Sequence, residues 1–124
     1  MGTTLIPQDR FEQLLENGRR QEEAKQNGEA WVDFAPVVKL FAPDGMATWL
    51  LAFVYPADPD VAFGLCDLGL GDPALGEVRL SWLVAYPGPA GLSVKHDPDF
   101  SPEKTITQYA AEARKTGYAI VCVG

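Results

Sequence analysis

Residues 36–71 constrain the fold of this chain more than any other stretch. They hold the longest apolar runs, interrupted at Pro43-Asp44-Gly45 and at residues 56–60 by sequences typical of tight turns. The segments 37–41, 48–54 and 61–68 are rich in β-branched, aromatic and aliphatic residues. The stretch therefore predicts a three-stranded antiparallel meander. Its almost wholly apolar second strand (TWLLAFV) indicates burial on both faces, and Gly64 in the third indicates a bulge or a close approach by another backbone.

Before the meander, residues 5–20 predict a helix, because Phe11, Leu14 and Leu15 recur at helical spacing. Asn17-Gly18 is typical of a helix end. Residues 21–30 contain no large apolar side chain, which predicts a flexible linker. The next residues, 31–36, fit an edge strand or an extended return to the core.

After the meander, residues 69–76 predict a loop and residues 77–80 a fourth strand. From Ser81 the chain either forms a short helix to residue 86 or continues the strand, and residues 92–95 fit an edge strand. Ser101-Pro102 predicts the start of a last helix that ends at Gly117, and residues 118–123 predict a closing strand. The fold class is α+β: a single domain, 1–124, in which an antiparallel sheet packs with an N-terminal and a C-terminal helix.

Charge is distributed unevenly along the chain. The net charge is −7, from 17 acidic and 10 basic residues. No Lys, Arg or His lies between Lys39 and Arg79, whereas six acids do: Asp44, Asp58, Asp60, Asp67, Asp72 and Glu77. A field of one sign repels phosphates and favours basic partners. We therefore expect no direct binding of nucleic acid and a protein partner with a basic surface.

Localisation follows from what the sequence lacks. No apolar run approaches the roughly 20 residues that cross a bilayer, and the N-terminus has no signal-peptide pattern. We expect a cytoplasmic protein that does not bind membranes. Cys66 and Cys122 lie in apolar runs, where free thiols behave as small hydrophobes. A disulfide remains open if their strands are neighbours, although a cytoplasmic setting disfavours it.

No motif for catalysis or for a cofactor stands out. The acids at Asp58, Asp60, Asp67 and Asp72 are split by an apolar strand and do not match a calcium loop. The glycines of GLCDLGLG lack the lysine and helix of a phosphate loop. The single histidine, His96, is followed by Asp97, but no nucleophile is apparent beside it. We expect no metal, no cofactor and no catalytic residue.

The aromatic residues support a contact surface instead. Trp and Tyr are enriched at protein–protein hot spots. An exposed aromatic near the acidic turns would make such a surface, and the predicted partner-binding residues are Asp44, Trp49, Asp58, Asp60, Asp67, Asp72 and Glu77. Arg19 and Arg20 complement the end of the first helix, make a weak anion contact, or clamp the acidic sheet, and the sequence leaves these alternatives open.

Three segments resemble an uncharacterised bacterial family, a domain of unknown function commonly carried on plasmids and integrative elements. They are PVVKLFAPDGMATWLL, DPDVAFGLCDLGLGDPALGEVRLSWL and TITQYAAEAR, and LLENGRRQ fits the N-terminal pattern. The likeness covers residues 5–116. The chain departs from the pattern in the apolar WLVAY after Ser81 and in the tail after Gly117. The resemblance supplies no active site.

The resemblance implies a setting, because small acidic proteins of mobile elements often bind host proteins, including defence nucleases. The leading hypothesis is a non-enzymatic interaction protein that binds a basic surface and inhibits a host defence or nucleic-acid-processing complex. The alternative is a small enzyme or ligand-binding domain with a pocket near the central sheet, formed by Asp67, His96 or Arg79. A third is an accessory domain of a larger assembly. The sequence identifies neither the partner nor the oligomeric state.

Overall fold

The meander forms the centre of a five-stranded antiparallel sheet with the strand order β4-β3-β2-β1-β5. The computed structural model describes residues 5–43, 45–69, 71–86 and 91–116. In chain order the elements are α1 (Gln8–Gln26), β1 (Val38–Phe41), β2 (Thr48–Tyr55), β3 (Asp58–Asp67), β4 (Ala74–Arg79), α2 (Leu80–Ala85), β5 (Lys95–His96) and α3 (Ile106–Thr116). The predicted α+β class, with one helix before the sheet and one after it, is confirmed.

Helices cover both faces of the sheet. On one, here called the α1 face, Phe11 and Leu14 of α1 pack with Leu51 of β2 and with Leu80 and Leu83 of α2. On the opposite α3 face, the core residues are Ile106, Ala110 and Ala113 of α3 with Leu50, Phe53 and Leu65 of the sheet. Six consecutive residues of β2, from 49 to 54, are consequently buried. The predicted burial of this strand on both faces is confirmed.

The predicted end of the first helix is wrong, because α1 continues through Asn17-Gly18 to Gln26. Both residues are buried against the sheet. The Asn17 side chain binds the Ala52 carbonyl, and the missing side chain of Gly18 allows contact with the Val54 carbonyl. The first six residues of the predicted linker, 21–26, are therefore the last turns of α1. Residues 29–37 contain neither helix nor strand, which leaves the extended return and excludes the edge strand.

Strand boundaries differ from the prediction around the two sheet turns. β3 begins at Asp58, because the turn from β2 has only two residues, Pro56 and Ala57, between the paired Tyr55 and Asp58. β4 begins at Ala74, so the loop before it is shorter than predicted. Gly64 makes a close approach, as predicted, since a Cβ there would overlap the Leu50 carbonyl.

The structure also shows which elements form after β4. The helix predicted from Ser81 is present as α2, which begins one residue earlier at Leu80. The edge strand predicted at residues 92–95 is instead the two-residue β5, Lys95–His96, paired with β1. Three predictions concern parts of the chain outside the described residues. They are the partner-binding role of Asp44, the closing strand at 118–123 and the surroundings of Cys122.

The last helix begins at Ile106, and the predicted N-cap at Ser101 is wrong. Thr105 precedes the helix, and its carbonyl accepts the first helical hydrogen bond, from Tyr109. The Gln108 side chain accepts the Thr105 N–H, as in one half of a capping box. Asp33, from before the sheet, accepts the Thr107 N–H at 3.2 Å and both threonine hydroxyls. A distant carboxylate therefore sets where α3 starts.

Candidate protein-interaction surface

A groove of about 380 Å³ opens where β3 and β4 meet α2. It is lined by Trp49, Cys66, Leu68, Glu77, Val78, Arg79 and Trp82 and is here called the Trp82 groove. Cys66 and Val78 belong to the α1 face but are only partly buried. Their neighbours on β4 are small, since Ala74 pairs with Cys66 and nothing lies within 4 Å of a Cβ added to Gly76. Small residues beside a six-residue helix leave this part of the sheet open.

Trp82 forms the wall of the groove and is 47% exposed. Its ring packs edge-on against buried Trp49, with 6.5 Å between centroids, and lies 5.1 Å from the ring of Tyr86. The base of the side chain is therefore fixed while half of its surface faces solvent. Leu68, on the same groove, is also half exposed. Exposed aromatic and aliphatic side chains that share one concave surface are typical of binding sites.

The acidic turn beside the groove is partly neutralised from within the chain. Arg79 Nη1 lies 3.4 Å from Asp58 Oδ2 and 3.5 Å from Asp60 Oδ2. Both carboxylates thus have a basic partner within the same chain. The pairing follows from the register of β3 and β4, which sets Val61 opposite Arg79. One arginine balances one of the two charges, so the turn keeps a net negative charge.

Asp60 also anchors α2. It accepts the Ser81 N–H at 3.0 Å and the Ser81 hydroxyl at 2.8 Å. The hydroxyl bond is the main reason that the pKa of Asp60 lies below its ordinary value. A carboxylate at the first turn of a helix accepts N–H groups that lack a helical partner. Asp60 therefore positions the helix that carries Trp82.

Two of the predicted partner-binding residues are buried. Trp49 is 1% exposed and supports Trp82 from below. Asp67 is 4% exposed, and its Oδ1 accepts the Gly69 N–H at 2.8 Å, which shapes the turn after β3. Both side chains therefore expose little surface for contact with a partner protein. Their roles in this structure are to support the groove and to form the turn.

The other predicted residues lie in different surroundings. Glu77 accepts a hydrogen bond of 2.8 Å from the Tyr55 hydroxyl. Asp72 is exposed in the loop between β3 and β4. Arg19 pairs with Glu16 at 3.2 Å on the surface of α1. The Arg20 guanidinium lies 5.4 Å from the centroid of the Phe34 ring, so the contacts seen for the two arginines are not with the acids of the sheet.

His96 and Arg79, two of the residues named for the alternative pocket, do not converge. His96 is on β5 and Arg79 on β4, which are the two edges of the sheet. Four strand spacings of about 4.8 Å separate those edges by roughly 19 Å. Among the described residues, no three His, Cys, Asp or Glu side chains are grouped so that they could hold a metal ion. In the same residues no helix is long and apolar enough to cross a membrane.

Neither Leu68 nor Trp82, which both line the groove, was among the predicted partner-binding residues. A signal for Trp82 was present in the sequence LSWLVA of α2. Leu80 and Leu83 are spaced for one helix face and are buried. Trp82 and Val84 then lie off that face, and both are about half exposed.

Comparison with known proteins gives a family and no function. No curated protein and no solved structure matched the chain. A family model described as a protein of unknown function, DUF2958, matches residues 5–120. The match includes the segments that carried the resemblance to an uncharacterised family and extends through all of the described residues. The chain belongs to the DUF2958 family of proteins of unknown function.

Proposed function

We propose that this domain is a non-enzymatic interaction module that binds a partner protein in the Trp82 groove. The observation that carries the proposal is the position of Trp82, held at its base by Trp49 and half exposed beside a negatively charged turn. Such a surface suits a partner segment that carries an apolar anchor next to a basic residue. The anchor would fill the groove, and the basic residue would face the acids at its rim.

The charges near the groove favour a basic partner. Glu77 lines the groove, and Asp58 and Asp60 lie beside it at Arg79. Asp72 is in the loop that follows Leu68. Arg79 is the basic residue that lines the groove. An excess of negative charge at the rim raises the association rate with a positively charged partner more than it raises the affinity of the final complex. Association with such a partner should therefore slow as salt concentration rises.

The first experiment uses Trp82→Ala with Val84→Ala as the matched control, since Val84 is on the same helix, half exposed and outside the groove lining. The wild-type protein captures partners from a host lysate, and binding constants are then measured with each purified partner. Truncation of a central aromatic anchor weakens binding by about 30-fold, whereas the control stays near wild type. Equal affinity of Trp82→Ala and wild type would refute the groove as the binding site.

A second experiment separates charge from structure. Asp58→Asn removes a carboxylate whose described contact is the ion pair with Arg79. Asp60→Asn also disturbs the hydrogen bonds to Ser81 and therefore the position of α2. Asp58→Asn should slow association at low salt and leave dissociation almost unchanged. An association rate that changes neither with Asp58→Asn nor with salt concentration would contradict the electrostatic part of the proposal.

The class of partner we propose is a nucleic-acid-processing or defence complex of the host. Carboxylates can occupy a cleft shaped for phosphates because both carry negative charge. The support is the acidity of the segment between Lys39 and Arg79 together with the resemblance to proteins of plasmids and integrative elements. A purified partner should then lose affinity for its nucleic acid when this domain is added. Simultaneous binding of both would refute this choice of partner.

A further inference from the structure

A second concave site lies on another part of the molecule. A half-open cavity of about 460 Å³ is bounded by the C-terminal half of α1, the residues that follow it and the end of β2. Its side chains include Glu22, Lys25, Glu29, Trp31, Phe53 and Tyr55, and we call it the Trp31 cavity. Its volume falls within the range of small-molecule sites in proteins. The Trp82 groove has no lining residue in common with it.

The cavity has an aromatic wall whose rings support one another. Trp31 is 48% exposed and packs edge-on against Phe63, with 5.7 Å between centroids. Phe63 stacks on Phe53 at 5.2 Å, and Phe53 lies 5.4 Å from Tyr55. The Tyr55 hydroxyl donates to Glu77. The rings are therefore fixed in place, and one half-exposed indole remains available to a ligand.

The segment that carries Trp31 is tied to α1. The Gln21 side chain donates to the Val32 carbonyl at 2.9 Å and accepts the Val32 N–H at 2.8 Å. The Glu29 N–H donates to the Ala24 carbonyl at 2.8 Å. Gly28, which lines the cavity, has φ +71°, a conformation that suits glycine where the chain turns off the helix. Because the site is already ordered before a ligand binds, binding has a smaller cost in conformational entropy.

The charges around the cavity favour a cation. Glu22 and Glu29 line it with one basic side chain, Lys25. The cavity also lies at the C-terminal end of α1, where the helix dipole places partial negative charge. Aromatic faces attract cations, and tryptophan does so most strongly. An ammonium or guanidinium group with apolar neighbours matches all three features.

We propose that the Trp31 cavity binds an organic cation, a quaternary ammonium or guanidinium group that rests against Trp31 and is balanced by Glu22 and Glu29. The group can belong to a free small molecule or to a side chain of a partner protein. The binding chemistry is the same in both cases. Cation binding at this site does not require the partner proposed for the Trp82 groove, although the Tyr55–Glu77 hydrogen bond joins one residue of each site.

The test titrates the protein with choline and with its neutral isostere 3,3-dimethylbutan-1-ol, while NMR follows the indole N–H of Trp31. Choline should shift that signal saturably and bind about five- to tenfold more tightly than the isostere. A parallel titration with the tripeptide Gly-Arg-Gly, amidated at its C-terminus, distinguishes the sources. Tighter binding of the tripeptide assigns the site to a partner's side chain, and tighter binding of choline to a free small molecule.

Two variants and one control locate the site. Trp31→Leu, followed through the backbone amide signals of Gly28 and Glu29 because it lacks the indole, should weaken binding of the favoured cation by about fivefold. Glu29→Gln, followed through the Trp31 indole, should weaken it by a similar factor. Glu29 is exposed, so its variant remains informative if the loss of Trp31 impairs folding. Glu16→Gln removes an exposed acid of α1 outside the cavity and should leave affinity unchanged. Binding of the favoured cation that is no tighter than that of the neutral isostere, no shift with any of the probes, or an equal loss in Glu16→Gln would overturn the proposal.

Discussion

The side-chain amide of Asn17 donates a hydrogen bond of 3.0 Å to the carbonyl oxygen of Ala52, a residue that the pairing of β2 with β3 skips. Leu51 pairs with Gly64 and Phe53 with Phe63, so Ala52 is the extra residue of a β-bulge. A bulge leaves its extra residue without a ladder partner. Helix α1 therefore provides, through Asn17, the hydrogen bond to the Ala52 carbonyl that the sheet does not provide.

Asn17→Ala should destabilise the fold by about 1–3 kcal/mol, because it leaves a buried carbonyl without a donor. Urea denaturation measures the change. Gln13→Ala is the matched control, since Gln13 is exposed and its side-chain hydrogen bond among the described residues is the one it donates to the Asn17 side chain at 2.9 Å. A loss no greater than that of the control would show that the bulge does not depend on Asn17.

Gly18→Ala should also destabilise, contrary to the usual effect of this change inside a helix. Alanine is normally favoured there by about 1 kcal/mol. At Gly18, however, a Cβ would overlap the Val54 carbonyl oxygen and lie 3.2 Å from Cδ of Pro56. We expect the free energy of unfolding, measured by urea denaturation, to fall by more than about 2 kcal/mol, as for other overpacked contacts.

The control for this prediction is Gly76→Ala. Gly76 lies in β4, and a Cβ added there meets nothing within 4 Å. Its substitution should change the free energy of unfolding little. If both variants were equally stable, close approach of α1 to β2 would not be the reason for glycine at position 18.

These two residues show why the sequence predicted the sheet better than the helices. β2 and its turns were predictable because apolar content and turn residues act locally. Asn17-Gly18 has the composition of a helix end, but tertiary contacts with Ala52 and Val54 override it. The start of α3 was missed for the same reason, since Asp33 is 72 residues from Thr105 in the chain.

The candidate interaction surface was predictable only in part. The run of acids was visible in the sequence, as was the helix spacing that exposes Trp82. Pairing of Asp58 and Asp60 with Arg79 depends on how β3 aligns with β4. Burial of Trp49 depends on where α2 folds back onto the sheet. Register and packing of this kind arise from the whole fold and have no local signal.

Asp33→Asn should lower the free energy of unfolding at pH 7 by about 1 kcal/mol, the usual cost of losing a helix cap. Burial disfavours the charged form of Asp33, but hydrogen bonds from Thr107 and Thr105 outweigh this and set its pKa below the ordinary value. The stabilisation is therefore present above about pH 3.9 and is lost as pH falls through the lower pKa of the folded state.

Chemical denaturation of wild type and Asp33→Asn at pH 7 and near pH 3 measures this dependence. The advantage of the wild type should shrink at the acidic pH. Asp99→Asn serves as the control, because Asp99 is exposed and takes no part in the described hydrogen bonds at the start of α3. An advantage that is the same at both pH values would rule out the charge of Asp33 as its source.

His96 should make the fold less stable as the pH falls below about 6.5. Its Nε2 is buried and has no hydrogen-bond partner in the part of the chain that the structure describes. Burial lowers the pKa of His96, and the charge of Arg10 lowers it further, against the opposing effects of Asp97 and Asp9. Lys39 of the adjacent strand β1 pairs with Asp97 at 3.7 Å. The unfolded chain therefore takes up a proton near pH 6.5 that the folded chain binds only at lower pH.

Thermal unfolding of wild type and His96→Gln at pH 7.5 and pH 5.5 tests this prediction. Glutamine removes the titrating group, so the variant should lose less stability on acidification than the wild type. The direction follows from linkage, because the state that binds more protons gains as the pH falls, and here that state is the unfolded chain. An identical pH dependence in both proteins would mean that His96 titrates normally and that water reaches its ring.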